Sequence, residues 1–256
     1  MATDALFDIS GRTVLVTGSS RGIGRALAAG LADRGCVVVV NGRDPERLER
    51  TRAELASSGA AVHAAAFDVT DPGSVESGVA QIIEAHGGID ILVNNTGMQH
   101  RAPVTDFSDQ DWHALLRTNL SSAFFMTRTV ARGMVARGAG KVVNICSLQS
   151  EVARPGIAAY AATKGALKML TKGLCADLAP HGVQVNGIGP GYFETELTAA
   201  LVEDPEFSAW VRGRTPAGRW GRTDDLVGAL VFLSSSASDF VNGHILYVDG
   251  GMLAVL

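Results

Sequence analysis

The stretch Arg12-Thr13-Val14-Leu15-Val16-Thr17 runs straight into Gly18-Ser19-Ser20-Arg21-Gly22-Ile23-Gly24. A short β-branched apolar run, a glycine-rich turn and a helical pattern over Ile23–Arg34 read as strand, tight turn, helix. Glycine permits the turn and lets backbone N–H groups and the helix N-terminus approach an anion. An ordinary strand-to-helix connection uses the same residue types, so the rest of the chain has to decide between the two.

It decides by alternation. Val37–Asn41, Val62–Phe67, Ile89–Val93, Lys141–Cys146, Val183–Ile188 and Ile245–Val248 are further short apolar runs. Helical patterns over Asp44–Ser58 and Pro72–His86 fall between them, the first with Asp44 placed as cap and Pro45 in the first turn. Strands apolar throughout are buried on both faces, as in a parallel sheet covered by helices. Right-handed crossovers then predict an α/β, doubly wound, Rossmann-like parallel sheet with helices on both faces. With 256 residues, 46% of them hydrophobic, a single domain over 1–256 is expected.

The formal net charge of -4 offers no bulk attraction to nucleic acid or an anionic membrane surface. No run of about 18 apolar residues predicts a membrane span. MATDALFDIS lacks the basic and apolar regions of a secretory leader. Cys36, Cys146 and Cys175 sit in apolar stretches without paired spacing, so buried free thiols in a reducing compartment, the cytoplasm, are expected. His63, His86, His100, His113, His181 and His244 are scattered without ligand spacing, and no metal is predicted.

Ligands of such sheets sit beyond the carboxyl ends of the strands. After the first strand comes the loop Gly18, Ser20, Arg21, Gly22, Ile23, Gly24, suited to a dinucleotide pyrophosphate. An acid ending the second strand would hold the adenosine ribose and favour NAD. This strand ends Val40-Asn41-Gly42-Arg43, with no acid, and Asp44 is explained as a cap. Arg43 and Arg21 suit a 2′-phosphate, so NADP is predicted; a solvated charge at the helix start is the alternative for Arg43. Asp68-Val69 and Asn94-Asn95-Thr96-Gly97 follow the third and fourth strands, where turn chemistry alone also accounts for them.

After the fifth strand comes Ser147; thirteen residues on lies Tyr160, and four further Lys164. The last two share a helix face. A free phenol, with a pKa of about 10, is a poor base at neutral pH, and a neighbouring ammonium favours its ionised form. A phenol so placed can exchange a proton with a substrate oxygen that Ser147 also holds.

The Thr17–Gly24 loop, the Asn94–Gly97 turn, Ser147 with Tyr160-Ala161-Ala162-Thr163-Lys164, Pro190-Gly191 followed by Thr195, and the ending Asn242–Gly251 resemble the short-chain dehydrogenase/reductase family over essentially the whole chain. The resemblance implies Tyr160 as acid/base, Lys164 on the nicotinamide ribose favouring its phenolate, and Ser147 orienting the carbonyl. It implies Asn119, within Thr118-Asn119-Leu120, as holder of a relay water. It places Asn41, Asp68, Val69 and Asn95 in the cofactor set, Asn94 as a brace, and Pro190, Gly191, Phe193 and Thr195 at the nicotinamide end. Thr96 departs from the family's alanine, which implies a small change of packing. Family members are commonly homotetramers, and the apolar stretches Leu226–Leu233 and Ile245–Leu256 are compatible with that.

Asn144–Glu151, Gly189–Phe193, Arg214–Gly221 and Ser238–His244 resemble the branch of the family that reduces 5-keto sugar acids. That implies reversible reduction of 5-dehydro-D-gluconate to D-gluconate. Other ketose, polyol or 3-oxoacyl substrates, and a non-catalytic NADP sensor, are the alternatives; retention of Tyr160, Lys164, Ser147 and Asn119 speaks against the sensor. A polyhydroxy carboxylate needs a cation and several hydrogen-bond partners. Gln99, His100, Arg101, Gln149 and Arg154 follow the fourth and fifth strands and offer them. Arg101 or Arg154 is expected to anchor the carboxylate beside Tyr160, unless both pair with Asp106 or Glu151 at the rim. His100 is expected to hydrogen-bond rather than act as a base.

Overall fold

Each short apolar run becomes a strand in the computed structural model, which describes residues 5–57 and 59–256. The leader reading over residues 1–4, and Ser58 at the end of the second helical pattern, lie outside the described residues. The elements run β1 Thr13–Val16, α1 Gly22–Ala32, β2 Val37–Gly42, α2 Pro45–Ala56, β3 Val62–Ala66, α3 Pro72–His86 and β4 Ile91–Asn94. They continue with α4 Asp109–Leu116, α5 Ser122–Arg137, β5 Gly140–Ile145, α6 Ala158–Leu178 and β6 Val183–Pro190. Last come α7 Ala199–Val202, α8 Pro205–Arg214, α9 Val227–Ser234 and β7 Ile245–Val248.

All strands pair in parallel in the order β3-β2-β1-β4-β5-β6-β7. The order reverses between β1 and β4, which opens a crevice at their carboxyl ends. Alternate residues feed opposite layers. Val14, Val16, Val38, Val40 and Val93 meet Leu27 and Leu31 of α1 and Leu230 of α9. Leu15, Val39, Leu92 and Val142 meet Val75, Val79 and Ile82 of α3 and Met126, Val130 and Met134 of α5. Each fully buried side chain of this size contributes about 1.5–3 kcal/mol.

Asp-Pro starts three helices. Asp44 Oδ1 accepts from the Glu46 and Arg47 amides, Asp71 Oδ2 from Ser74, and Asp204 Oδ1 from Glu206 and Phe207. Such caps are worth about 1 kcal/mol each. α4 passes into α5 through a π-helical turn, Arg117–Ser121, that carries Asn119 inward.

Three expectations need correction. Much of the run Leu226–Leu233 is not free apolar surface, because Leu226, Leu230, Val231 and Leu233 are buried in this chain's own core. α9 can lie so close to α1 because Gly30 there has no Cβ: one would sit 2.5 Å from Val227 Cγ1. Cys36 and Cys146 are buried, but Cys175 is half-buried. Burial on both faces fails at β3, an edge strand whose His63, Ala64 and Ala66 are exposed. Among the described residues no helix is long and apolar enough to cross a membrane.

Candidate active site

The carboxyl ends of the strands open on one cleft of about 1110 Å³. Its lining includes the residues singled out from the sequence for cofactor or substrate, from Gly18 to Thr195, except His100, together with Ser147, Tyr160 and Lys164. Asn119 is buried just behind the wall, and His100 is turned out of it. His100 Nε2 lies 3.6 Å from Asp111 Oδ2, beyond hydrogen-bond distance, and its ring meets Phe107 edge-on.

The glycine loop is shaped by contact. Gly18 has φ +61, and a Cβ there would sit 2.9 Å from Thr96 Oγ1; one on Gly24 would sit 2.4 Å from Asn95 Nδ2 and 2.6 Å from Gly18 O. Asn95 Nδ2 donates to Thr17 O and Gly18 O, and Thr17 Oγ1 accepts from the Asn95 and Thr96 amides. Asn95 therefore holds the loop's shape, and Thr96 fills the space beside Gly18. Asn94 braces deeper, donating to Thr127 Oγ1 and Asn144 Oδ1. Arg21 caps α1 without a side-chain bond, so the first-turn amides of α1 stay free for a ligand.

On the adenosine side, the Asn41 amide is spent on Ala65 O and Phe67 O, tying β2 to the end of β3. Asp68 Oδ1 accepts from the Thr70 amide and hydroxyl. Arg43 is exposed and has no acidic partner among the described residues. Arg21 and Arg47 face Glu196, at 4.0 and 3.0 Å.

On the catalytic side, Lys164 is buried and its Nζ donates to Ile145 O at 2.7 Å, lying 5.8 Å from the Tyr160 ring centre. Asn119 Oδ1 accepts from the Met98 amide while its Nδ2 donates to Met98 O and Thr163 Oγ1. A Cβ on Gly97 would lie 3.6 Å from Asn119 Oδ1 and 3.8 Å from Lys164 Nζ, so the two groups converge there. Ser147 Oγ donates to Gln149 Oε1 at 2.5 Å. The Tyr160 hydroxyl alone has no partner among the described residues. The Ser147 loop is clasped from outside: Lys168 Nζ and Tyr247 Oη of β7 both donate to Glu151 Oε1, at 2.5 and 2.6 Å. These bonds hold the Glu151 carboxyl below its usual range; burial, then Glu151, push the Tyr247 phenol up.

At the mouth, Arg101 Nη2 donates to Gln99 Oε1. Partial burial and the charge of Arg154 lower the pKa of the Arg101 guanidinium. Neither arginine pairs with Asp106 or Glu151, so the rim-pair alternative does not hold. The Arg154 Nε is buried without a hydrogen-bond partner, and its guanidinium lies 5.3 Å from the Phe207 ring centre.

Comparison with known proteins bears on this arrangement. The profile of the family described as enoyl-(acyl carrier protein) reductase matches residues 18–253. A short-chain type dehydrogenase/reductase from Mycobacterium marinum superposes with a TM-score of 0.93 at 32% identity, covering 98% of each chain. The chain belongs to the short-chain dehydrogenase/reductase family.

Within the short-chain dehydrogenases/reductases, the chain is 55% identical over 256 residues, all of both proteins, to a gluconate 5-dehydrogenase of Gluconobacter oxydans (strain 621H). It is 51% identical to the 5-keto-D-gluconate 5-reductase of Escherichia coli (strain K12), covering 98% of this chain and 99% of that protein. A gluconate 5-dehydrogenase from Burkholderia cenocepacia J2315, solved with NADP and tartrate, superposes with a TM-score of 0.96 at 53% identity, covering 98% of this chain and 99% of that one.

Sequence reasoning missed part of this short-chain reductase cleft. Gln110, His113 and Arg117 line it from α4 and the π turn, a polar spacing of three and four residues that signals one helix face. Tyr192, Leu197 and Leu201 line it from the segment after β6, where nothing periodic marks them.

Proposed function

We propose that this chain is an NADP(H)-dependent oxidoreductase interconverting 5-dehydro-D-gluconate and D-gluconate, working as one dinucleotide-binding unit over residues 1–256. The carrying observation is Arg101 and Arg154: two guanidiniums, neither with a carboxylate partner among the described residues, at the mouth of the cleft that holds Tyr160. A sugar acid offers the missing carboxylate. The names of the relatives quoted above agree with this reading.

The cleft suits NADP. Gly18 and Gly24 leave room where any Cβ would collide, the α1 amides face the pyrophosphate position, and Gly42 stands where an acid would favour NAD, followed by the exposed Arg43. Pro190, Gly191, Phe193 and Thr195 border the nicotinamide end. Bound there, the cofactor supplies or accepts the hydride at the substrate carbon.

The remaining work falls to the chain. Tyr160 gives its phenolic proton to the carbonyl oxygen in reduction and takes it back in oxidation. Ser147 Oγ turns from Gln149 to donate to the same oxygen, and Gln149, released, offers its amide to a substrate hydroxyl. Lys164 keeps one N–H on Ile145 O and has two left for the ribose. Asn119 Oδ1 retains a second lone pair beyond the Met98 amide, and we assign it the relay water that reprotonates Tyr160. We place the enzyme in the cytoplasm as a homotetramer; exposed Phe124, Met169 and Phe240 are apolar surface that such an assembly would cover.

The test is oxidation of D-gluconate, sorbitol, mannitol and glucose with NADP and NAD, followed by absorbance at alkaline pH. Turnover of D-gluconate with NADP at a kcat/KM about tenfold or more above every other pairing is expected. Turnover confined to uncharged polyols overturns the sugar-acid reading, and preference for NAD overturns the Arg43 reading. A second reading, 2-dehydro-3-deoxy-D-gluconate as substrate, is favoured by a dehydrogenase of that name in Formosa agariphila at 45% identity over 253 residues, and its substrate too is a sugar acid.

A further inference from the structure

The guanidinium of Arg154 is an unusual object. Its Nε is buried and donates to nothing, and it has no ion pair among the described residues. A buried charged donor without an acceptor is costly. What holds it is the face of Phe207, 5.3 Å from the guanidinium carbon to the ring centre. A guanidinium over an aromatic face is attracted by the ring quadrupole without using any N–H, so the terminal Nη donors, which no group takes among the described residues, stay available to a ligand.

Phe207 is itself fixed from three sides. Its backbone amide is held by the Asp204 cap of α8. Its ring lies 5.6 Å from Tyr192 and 5.4 Å from Trp210, centre to centre. Trp220, buried behind it, is locked by Nε1 donating to Ser208 Oγ at 2.9 Å. The first turn of α8 is thus a rigid aromatic shelf under one cation at the mouth of the cleft.

We infer that Phe207 is a positioning residue that aims Arg154 at the substrate carboxylate, so that α8 sets the preference for sugar acids over neutral polyols. This rests on the sugar-acid reading of the same cleft, and Arg154 is the principal anchor. Arg101, turned toward Gln99, adds long-range attraction to the same anion.

The test combines Phe207→Leu, which keeps apolar bulk but removes the ring face, with Phe207→Tyr, which restores it. In Phe207→Leu, KM for D-gluconate rises about tenfold while saturating kcat and KM for NADP stay within about twofold. Phe207→Tyr stays within about twofold of the parent on all three. Calorimetric titration with tartrate, a dianion that needs no turnover, shows the same order of affinities. Equal KM values in Phe207→Leu and the parent overturn the inference, as does a rise in Phe207→Leu that Phe207→Tyr fails to restore. A joint loss of kcat, both KM values and thermal stability also overturns it, since that marks a merely structural shelf. Tartrate binding by the parent without oxidation of D-gluconate leaves the inference standing and overturns the proposed substrate instead.

Discussion

The two walls of the cleft are built on opposite plans. On the wall formed by β4, β5, the π turn and α6, the key side chains already have protein partners: Asn119 has Met98 and Thr163, Lys164 has Ile145, Ser147 has Gln149. On the outer rim, Arg43, Arg101 and Arg154 meet no carboxylate among the described residues. Chemistry needs groups held in place before the substrate arrives, and here only Ser147 has to exchange its partner when the carbonyl binds. Recognition of an anion needs the reverse, donors left unspent until the anion supplies the acceptor. The contrast separates the residues that set rate from those that set affinity.

Tyr160→Phe tests the first wall at the hydroxyl left open to the cleft. The hydroxyl has no partner to lose, so folding should be untouched and Tm unchanged within about 1 °C, while kcat falls about a thousandfold. A large drop in Tm would mean the hydroxyl is structural after all. Gly42→Asp tests the rim by giving Arg43 the acid it lacks. Gly42 lies outside the positive-φ region and a Cβ there would meet nothing closer than 3.5 Å, so a side chain can start there without strain. The ratio of kcat/KM for NADP over NAD should fall about a hundredfold, through repulsion of the 2′-phosphate and capture of the ribose hydroxyls. An unchanged ratio would remove the adenosine-side arginines from the account. Thr96→Ala sits between the walls. Its hydroxyl donates to no group among the described residues and fills space beside Gly18, so kcat/KM should stay within about twofold of the parent. A larger fall would make Thr96 a cofactor contact.

The inner wall was far more legible in the sequence than the outer. Pro72–His86 and Ile245–Val248 coincide with their elements, and Asp44 caps as its position implies. Tyr160 and Lys164 share a helix face because their spacing is local. Asn119 came only from family resemblance, since its direction depends on a π turn fixed by packing rather than by hydrophobic period. The same Asp-Pro pair that marks α2 also marks α8 at Asp204, yet the helix that follows has no clear apolar stripe. The meeting of Arg154 with Phe207 joins segments on either side of β6, and no spacing along the chain encodes it. The burial of Leu226–Leu233 was invisible for a related reason. An apolar face reads alike whether it meets a partner subunit or the glycine-notched side of α1.

The clasp on the Ser147 loop has a consequence in time. Glu151 waits for Tyr247, 96 residues further along, before its second bond can form. During synthesis, the strands that carry the dinucleotide loop emerge and can pair well before β7 exists. The nascent chain therefore acquires the parts that grip a coenzyme first and the second bond of the Ser147-loop clasp last.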